Sequence, residues 1–167
     1  MTTTRPTRDR IWGALEAVMD PEIPVVSVID MGMIGGVDVN DDGAVEITLL
    51  PTFSGCPAVH EIKQDMVAAV AAVPGVAAVH VKTSFDPPWT TDRITATGRL
   101  RLKEFGLSPP TGEGPVLVTA IGLPRRASCP FCDGTDTVAE SPFGPTPCRA
   151  LYYCKTCRNP FEQFKPV

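Results

Sequence analysis

The side chains best suited to chemistry are six cysteines, five of which lie after residue 128. Cys129-Pro130-Phe131-Cys132 and Cys154-Lys155-Thr156-Cys157 are two CxxC pairs with 21 residues between them. Each CxxC turn aims two thiolates at one point, and two such turns complete the tetrahedron that zinc favours. The separation slightly exceeds the roughly 15–20 residues of the usual spacing, a difference that a ribbon hairpin absorbs. A redox dithiol and a cysteine-ligated iron–sulfur centre compete with zinc for the same four residues. Cys148 is left over; it stands at no knuckle spacing from Cys154 and reads as a free thiol in the hairpin.

The sixth cysteine, Cys56, lies alone in Pro51-Thr52-Phe53-Ser54-Gly55-Cys56-Pro57. Pro57 suits the first position of a helix, where its missing N–H costs nothing. Cys56 then falls at or beside the N-cap, and the dipole and open N–H groups favour its thiolate. Such a thiol can attack, can bind a metal, or can be a small buried side chain next to a turn. His60 follows at i+4 and shares the face, although an exposed hydrogen-bonding histidine is the commoner outcome. Upstream runs a rigid acidic loop, Asp20-Pro21-Glu22-Ile23-Pro24 through Asp30-Met31-Gly32. Asp20, Glu22 and Asp30 either line a pocket with Cys56, Thr52 and His60, or serve as turn and cap residues. No third group orients His60 as a base for a Cys56 nucleophile. No Gly-rich phosphate loop, paired ExxH motif or dinucleotide fingerprint occurs, which argues against ATP-driven transfer, di-iron oxygenation or a reductase reaction in this chain.

Apolar residues make up 43 % of the 167, enough for a core in one domain plus a small module. The net charge of −4 is uneven: residues 1–124 carry nine basic and fifteen acidic side chains, residues 125–167 six and four. Neither part has the strongly basic balance of a nucleic-acid binder. No apolar run approaches the ~20 residues of a membrane span and no signal-peptide pattern opens the chain, so the expected setting is the cytoplasm, without a membrane partner.

The elements that position these residues follow from periodicity. A helix is expected over 8–19, capped by Thr7, with Ile11, Trp12, Leu15, Val18 and Met19 inward. Residues 25–29 read as extended. Strands over 37–40 and 44–50 flank the Asp41-Asp42-Gly43 turn. A helix runs from Cys56–Pro57 to residue 73 and a strand covers 76–85. A last helix spans 93–105, with Asp92 as its cap, Gly98 as a potential break and Gly106 as its stop. The fold class is α+β, a small three-stranded sheet with helices packed on it, plus a C-terminal zinc-ribbon module. The domain reading is 7–108 for the α+β domain, 109–124 for a linker with a short strand at 117–121, and 125–167 for the ribbon. That ribbon has little core, so metal binding would supply much of its folding energy.

The stretches 20–34 and 51–58 resemble the SufT-like family of cytosolic iron–sulfur assembly domains. Residues 141–148 and 154–165 resemble the tail of one branch, the PaaD-like proteins of the bacterial phenylacetyl-CoA epoxidase system. The resemblance implies an accessory component of a multicomponent monooxygenase in phenylacetate catabolism, assisting metal assembly in a di-iron oxygenase or its iron–sulfur flavoprotein reductase. It carries the reactive, metal-labile thiol onto Cys56, the acidic loop onto Asp20, Glu22 and Asp30, and structural zinc onto Cys129, Cys132, Cys154 and Cys157. A transient iron or iron–sulfur cluster on Cys56 would need further ligands from a partner, a homodimer mate, a carboxylate or His60. Two other readings stand beside it: a structural component of the epoxidase complex that docks through the ribbon, and an enzyme with Cys56 as nucleophile.

Overall fold

The computed structural model describes residues 6–110 and 127–165. It divides into two compact units, Met1–Trp89 and Thr90–Val167. The strand expected at 117–121 and most of the expected linker lie outside the described residues.

In the first unit, α1 (Arg8–Leu15) buries Ile11 and Leu15. Thr7 occupies the N-cap, but its side chain makes no capping bond; its carbonyl takes the N–H groups of Arg10 and Ile11. The helix stops four residues earlier than the periodicity suggests. Pro21 biases Asp20 toward extended backbone, and residues 18–20 turn back on 26–28, with Val28 N–H donating to Val18 O and Asp20 N–H to Val26 O, both at 2.9 Å. Val18 is buried there all the same, whereas Trp12 and Met19 are half-buried.

Strands β1 (Ile34–Val39) and β2 (Ala44–Leu49) form an antiparallel hairpin. Gly43 turns it with φ +84°, and a Cβ there would lie 2.6 Å from Gly75 O. Helix α2 (Val59–Ala71) then crosses over to β3 (Ala78–Thr83), which pairs parallel to β2. The sheet order is β1-β2-β3. Val45, Ile47 and Leu49 alternate inward, and Ile62, Met66 and Val70 form the buried stripe of α2. Helix α2 packs on β3 and on α1.

In the second unit a short 3-10 turn, Thr91–Arg93, precedes α3 (Ala96–Glu104). The cap is Thr95, whose Oγ1 accepts the Gly98 N–H at 2.9 Å, and not Asp92. Gly98 lies unbroken in the first turn of α3. Gly106, with φ +89°, follows the helix in the left-handed region. After it, β4 (Leu107–Ser108) pairs parallel with β7 (Pro160–Phe164), which is antiparallel to β6 (Arg149–Cys154), itself antiparallel to β5 (Thr137–Ser141). The order is β4-β7-β6-β5. The last expected helix and the strand after it therefore belong to the ribbon's unit, because β4 completes the ribbon sheet.

Candidate metal centre and thiol loop

The ribbon sheet sets the four-cysteine centre. Its first knuckle precedes β5 and its second joins β6 to β7, so sheet pairing brings two sequence-distant turns together. The Sγ atoms of Cys129, Cys132, Cys154 and Cys157 all lie within 4.8 Å of one another. Cys129 Sγ and Cys157 Sγ are 3.6 Å apart, as are Cys132 Sγ and Cys154 Sγ. Four thiolates around a zinc at a Zn–S distance of ~2.3 Å require sulfurs about 3.8 Å apart, so the donor set fits a tetrahedral thiophilic ion.

The two knuckles share one backbone solution. In each, the residue after the second cysteine is left-handed, Asp133 at φ 58° and Arg158 at φ 60°. That bend returns the chain, so that Cys129 N–H donates to Gly134 O at 2.9 Å and Cys154 N–H to Asn159 O at 3.0 Å. Burial pushes the Cys129 thiol up, against backbone N–H groups of Phe131 and Cys132 that pull it down. The Gly134 N–H pulls Cys132 down, but burial and the three neighbouring sulfurs outweigh it and push that thiol up to about 12. Cys154 falls to about 6, chiefly because the Cys157 N–H donates to its sulfur. Cys154 is thus favoured as a thiolate beside Cys129 and Cys132, which are held as thiols until a cation compensates the charge.

Packing closes around the centre. Tyr152 and Phe161 face each other across β6 and β7 and stack with centroids 5.6 Å apart, beside buried Cys129 and Cys154. Gly134 is wedged against the second knuckle: a Cβ there would meet Thr156 Oγ1 at 3.0 Å and Cys132 Sγ at 3.1 Å. Lys103 of α3 donates to Asp133 at 2.5 Å. Cys148 lies half-buried in the β5–β6 loop, with its sulfur 3.1 Å from Thr146 Oγ1. Sequence reasoning missed Gly134, Thr156 and the two left-handed residues. The signal available was the Gly and Asn two positions after each knuckle's second cysteine.

The other candidate residues belong to the first unit. Strands β2 and β3 are parallel, so the loops after both leave the same end of the sheet, and Ile34, where β1 begins, pairs with Leu49, where β2 ends. The acidic loop, the Cys56 loop and residues 84–89 therefore emerge together at the carboxyl end of β2, where ligand sites of parallel sheets gather. Leu50 N–H donates to Met33 O at 2.7 Å, and Trp89 Nε1 donates to Met31 O at 2.7 Å. Cys56 is half-buried and closes a turn, its N–H donating to Phe53 O at 3.2 Å. It is not the cap: α2 begins at Val59 with Ala58 as N-cap, and a looser bond from Val59 N–H to Cys56 O at 3.4 Å precedes the helix. His60 is exposed in the first turn of α2, and Thr52 is half-buried.

The two buried aspartates of the loop bond to backbone. Asp20 Oδ1 accepts the N–H groups of Glu22 and Ile23 at 2.8 and 2.9 Å. Asp30 Oδ2 accepts Ser27 N–H at 3.0 Å while Ser27 Oγ accepts Asp30 N–H at 3.1 Å, a reciprocal box around a helical turn. This is why residues 25–29, expected to be extended, form turns. Among the described residues, the four ribbon cysteines are the one group of three or more metal-ligating side chains brought together.

Comparison with known proteins fits both parts. Residues 8–81 match a family model described as "Iron-sulfur cluster assembly protein", and residues 113–165 match "PaaD zinc beta ribbon domain". Over 99 % of its length the chain is 40 % identical to a protein of Escherichia coli (strain K12) provisionally named as the D component of 1,2-phenylacetyl-CoA epoxidase, covering 97 % of that relative. The chain belongs to the PaaD-like family. The PaaD-like chain is also 35 % identical, over 57 % of its length, to the Bacillus subtilis Fe-S protein maturation auxiliary factor YitW, of which it covers 92 %. Among solved structures, a domain of unknown function (DUF59) from Bacillus anthracis superposes with a TM-score of 0.54 at 28 % identity, covering 56 % of this chain and 89 % of that one. The chain thus joins an iron–sulfur assembly domain to a zinc beta ribbon domain whose four cysteines are clustered. Among the described residues no helix is long and apolar enough to cross a membrane.

Proposed function

We propose that this protein is a cytoplasmic maturation factor for the phenylacetyl-CoA epoxidase system, assisting iron or iron–sulfur assembly in its oxygenase or its reductase. The observation that carries the reading is the 40 % identity running through both domains to the Escherichia coli epoxidase relative. It is supported by the exit of the acidic loop and the Cys56 turn at one end of the sheet. In this reading Cys56 supplies one thiolate to a labile cluster or iron, which is cargo. The remaining ligands come from the client or from a second copy of the chain, because a cluster needs several thiolates. Asp20 and Asp30 keep the neighbouring loop in shape through their backbone bonds. Zinc is the proposed occupant of the ribbon, where it would tie the two knuckles together and contribute to folding. Cys129, Cys132, Cys154 and Cys157 would hold it, two of them buried away from competing water.

The test is epoxidase turnover by oxygenase and reductase purified from cells with and without this protein, assayed with none of it present. Components made beside it are expected to be active and metal-replete, and those made without it inactive and metal-poor. Cys56→Ser is expected to abolish this effect while leaving the metal content of the ribbon unchanged. Components that stay inactive until the protein is added back in stoichiometric amount would refute maturation and make it a working part of the complex.

A further inference from the structure

The loop joining β5 to β6 plays no part in either site described above, and at its tip Phe143 is 77 % exposed, more than any other large hydrophobic side chain among the described residues. The backbone that carries the ring is held in place. Ser141 Oγ donates to Phe143 O at 2.9 Å and accepts the Phe143 N–H at 3.0 Å. Gly144 N–H donates to Arg149 O at 3.0 Å, and Gly144 packs so closely that a Cβ would sit 3.0 Å from the Arg149 carbonyl. Pro142, Pro145 and Pro147 remove further backbone freedom. Lys165, just after β7, donates its N–H to Cys148 O and its ammonium to Pro147 O, both at 2.8 Å. That ammonium lies 5.6 Å from the centre of the Phe143 ring.

An exposed aromatic ring on a constrained backbone is an anchor whose backbone ordering cost is already met before binding. Charge says what it fits. Arg149 is neutralised by Glu162 at 2.9 Å. Among the described residues no carboxylate pairs with Lys165, whose ammonium has three donors while Pro147 O takes one. We propose that this loop is the docking knob for the client protein: Phe143 enters an apolar socket and Lys165 meets a carboxylate on the socket's rim. The proposal rests on the maturation reading for the identity of the client. One cation beside one ring, with acidic Glu140 next in sequence to Ser141, does not make the basic track that a nucleic acid would need.

The experiment titrates the full-length, metal-loaded protein by calorimetry into purified oxygenase and, separately, into purified reductase. Phe143→Ala is expected to weaken binding to one of them about 30-fold or more, and Phe143→Leu much less. Lys165→Glu is expected to weaken it and to flatten its salt dependence. Leu100→Ala removes a side chain 62 % exposed on α3 and is expected to change nothing. The Phe143 and Leu100 variants should keep wild-type metal content and melting temperature, since neither exposed side chain holds up a core. Wild-type affinity for Phe143→Ala, an equal loss for Leu100→Ala, or no binding of either component by the wild-type protein overturns the proposal. Binding of single-stranded RNA that Phe143→Ala removes overturns it too. If the wild type binds neither component yet still raises client metal content on co-expression, docking fails and maturation stands. If it binds through Phe143 but co-expression has no effect, maturation fails and docking stands.

Discussion

Gly134→Ala tests whether the metal centre is as closely packed as its geometry indicates. The Gly134 φ lies outside the left-handed region, so an alanine meets no backbone penalty, and the whole effect must come from its methyl group. That methyl would lie 3.0 Å from Thr156 Oγ1, 3.1 Å from Cys132 Sγ and 3.2 Å from Thr156 Cβ. Comfortable separations for such atoms are about 3.5–4.0 Å, so three contacts are each short by roughly half an ångström. Thr156 cannot swing clear without disturbing the knuckle whose N–H groups hold Cys154. Cys132 Sγ cannot move without leaving the tetrahedron. Overpacking of this kind costs about 1–3 kcal/mol, or roughly 5- to 150-fold in affinity at about 1.4 kcal/mol per tenfold. The cost falls mainly on the metal-bound state, because a free thiol can rotate and a bound thiolate cannot. The assay is competition for the metal against a chromophoric chelator at fixed pH. Thr156→Gly in the same chain removes two of the three contacts and should recover part of the loss, leaving the Cys132 contact. Gly134→Ala protein that holds its metal within twofold of wild type would refute the packing argument.

Three other outcomes follow from local geometry. Gly43→Ala combines a left-handed φ of +84° with a Cβ 2.6 Å from Gly75 O, and should destabilise the first unit by about 2 kcal/mol or more in urea unfolding. Arg158→Gly relieves a left-handed non-glycine residue in the second knuckle and should stabilise the metal-loaded ribbon by about 1 kcal/mol, read as a higher melting temperature. Metal affinity should rise with pH: the thiols of Cys129 and Cys132, held up by burial and by neighbouring sulfurs, must give up their protons to the metal. At least two protons leave on binding, so apparent affinity should climb by about a hundredfold per pH unit between pH 7 and 8, above the value of about 6 for Cys154. A flat profile in chelator competition would contradict that sign.

What the sequence made legible is what short-range chemistry decides. The Asp-Gly hairpin, the CxxC knuckles and the Gly106 stop each depend on a few adjacent residues, and each has one good backbone solution. The end of α1 and the turns over 25–29 escape the pattern because an apolar run looks the same on a strand and on a compact loop; the Ser27–Asp30 box decides between them. The start of α2 shifts for a similar reason. Pro57 permits a helix but does not oblige one to begin there, and the loose bond from Val59 N–H to Cys56 O leaves the thiol one turn upstream. Helix α3 with β4 could not be assigned from local pattern at all, since what ties them to the ribbon's unit is long-range: the pairing of Leu107 and Ser108 with Glu162 and Gln163, and the bond from Lys103 to Asp133.

The placement of Cys56 sits between these cases, and it was legible in principle. A strand, a 13-residue helix and another strand form a crossover long enough to set β2 and β3 parallel. Once they are parallel, the loop after β2 must open at the carboxyl end of the sheet. The antiparallel hairpin β1–β2 then places the start of β1, and with it the end of the acidic loop, at that same end. The approach of the acidic loop to the Cys56 turn is thus a consequence of connectivity. The aspartates need not ligate anything to be near the thiol, and their bonds to backbone N–H groups are enough to hold the loop there. Replacing Asp20 or Asp30 with Asn, which keeps an acceptor oxygen but removes the charge, should therefore preserve the loop; a loss of client activation in such a variant would have to come from the missing charge itself.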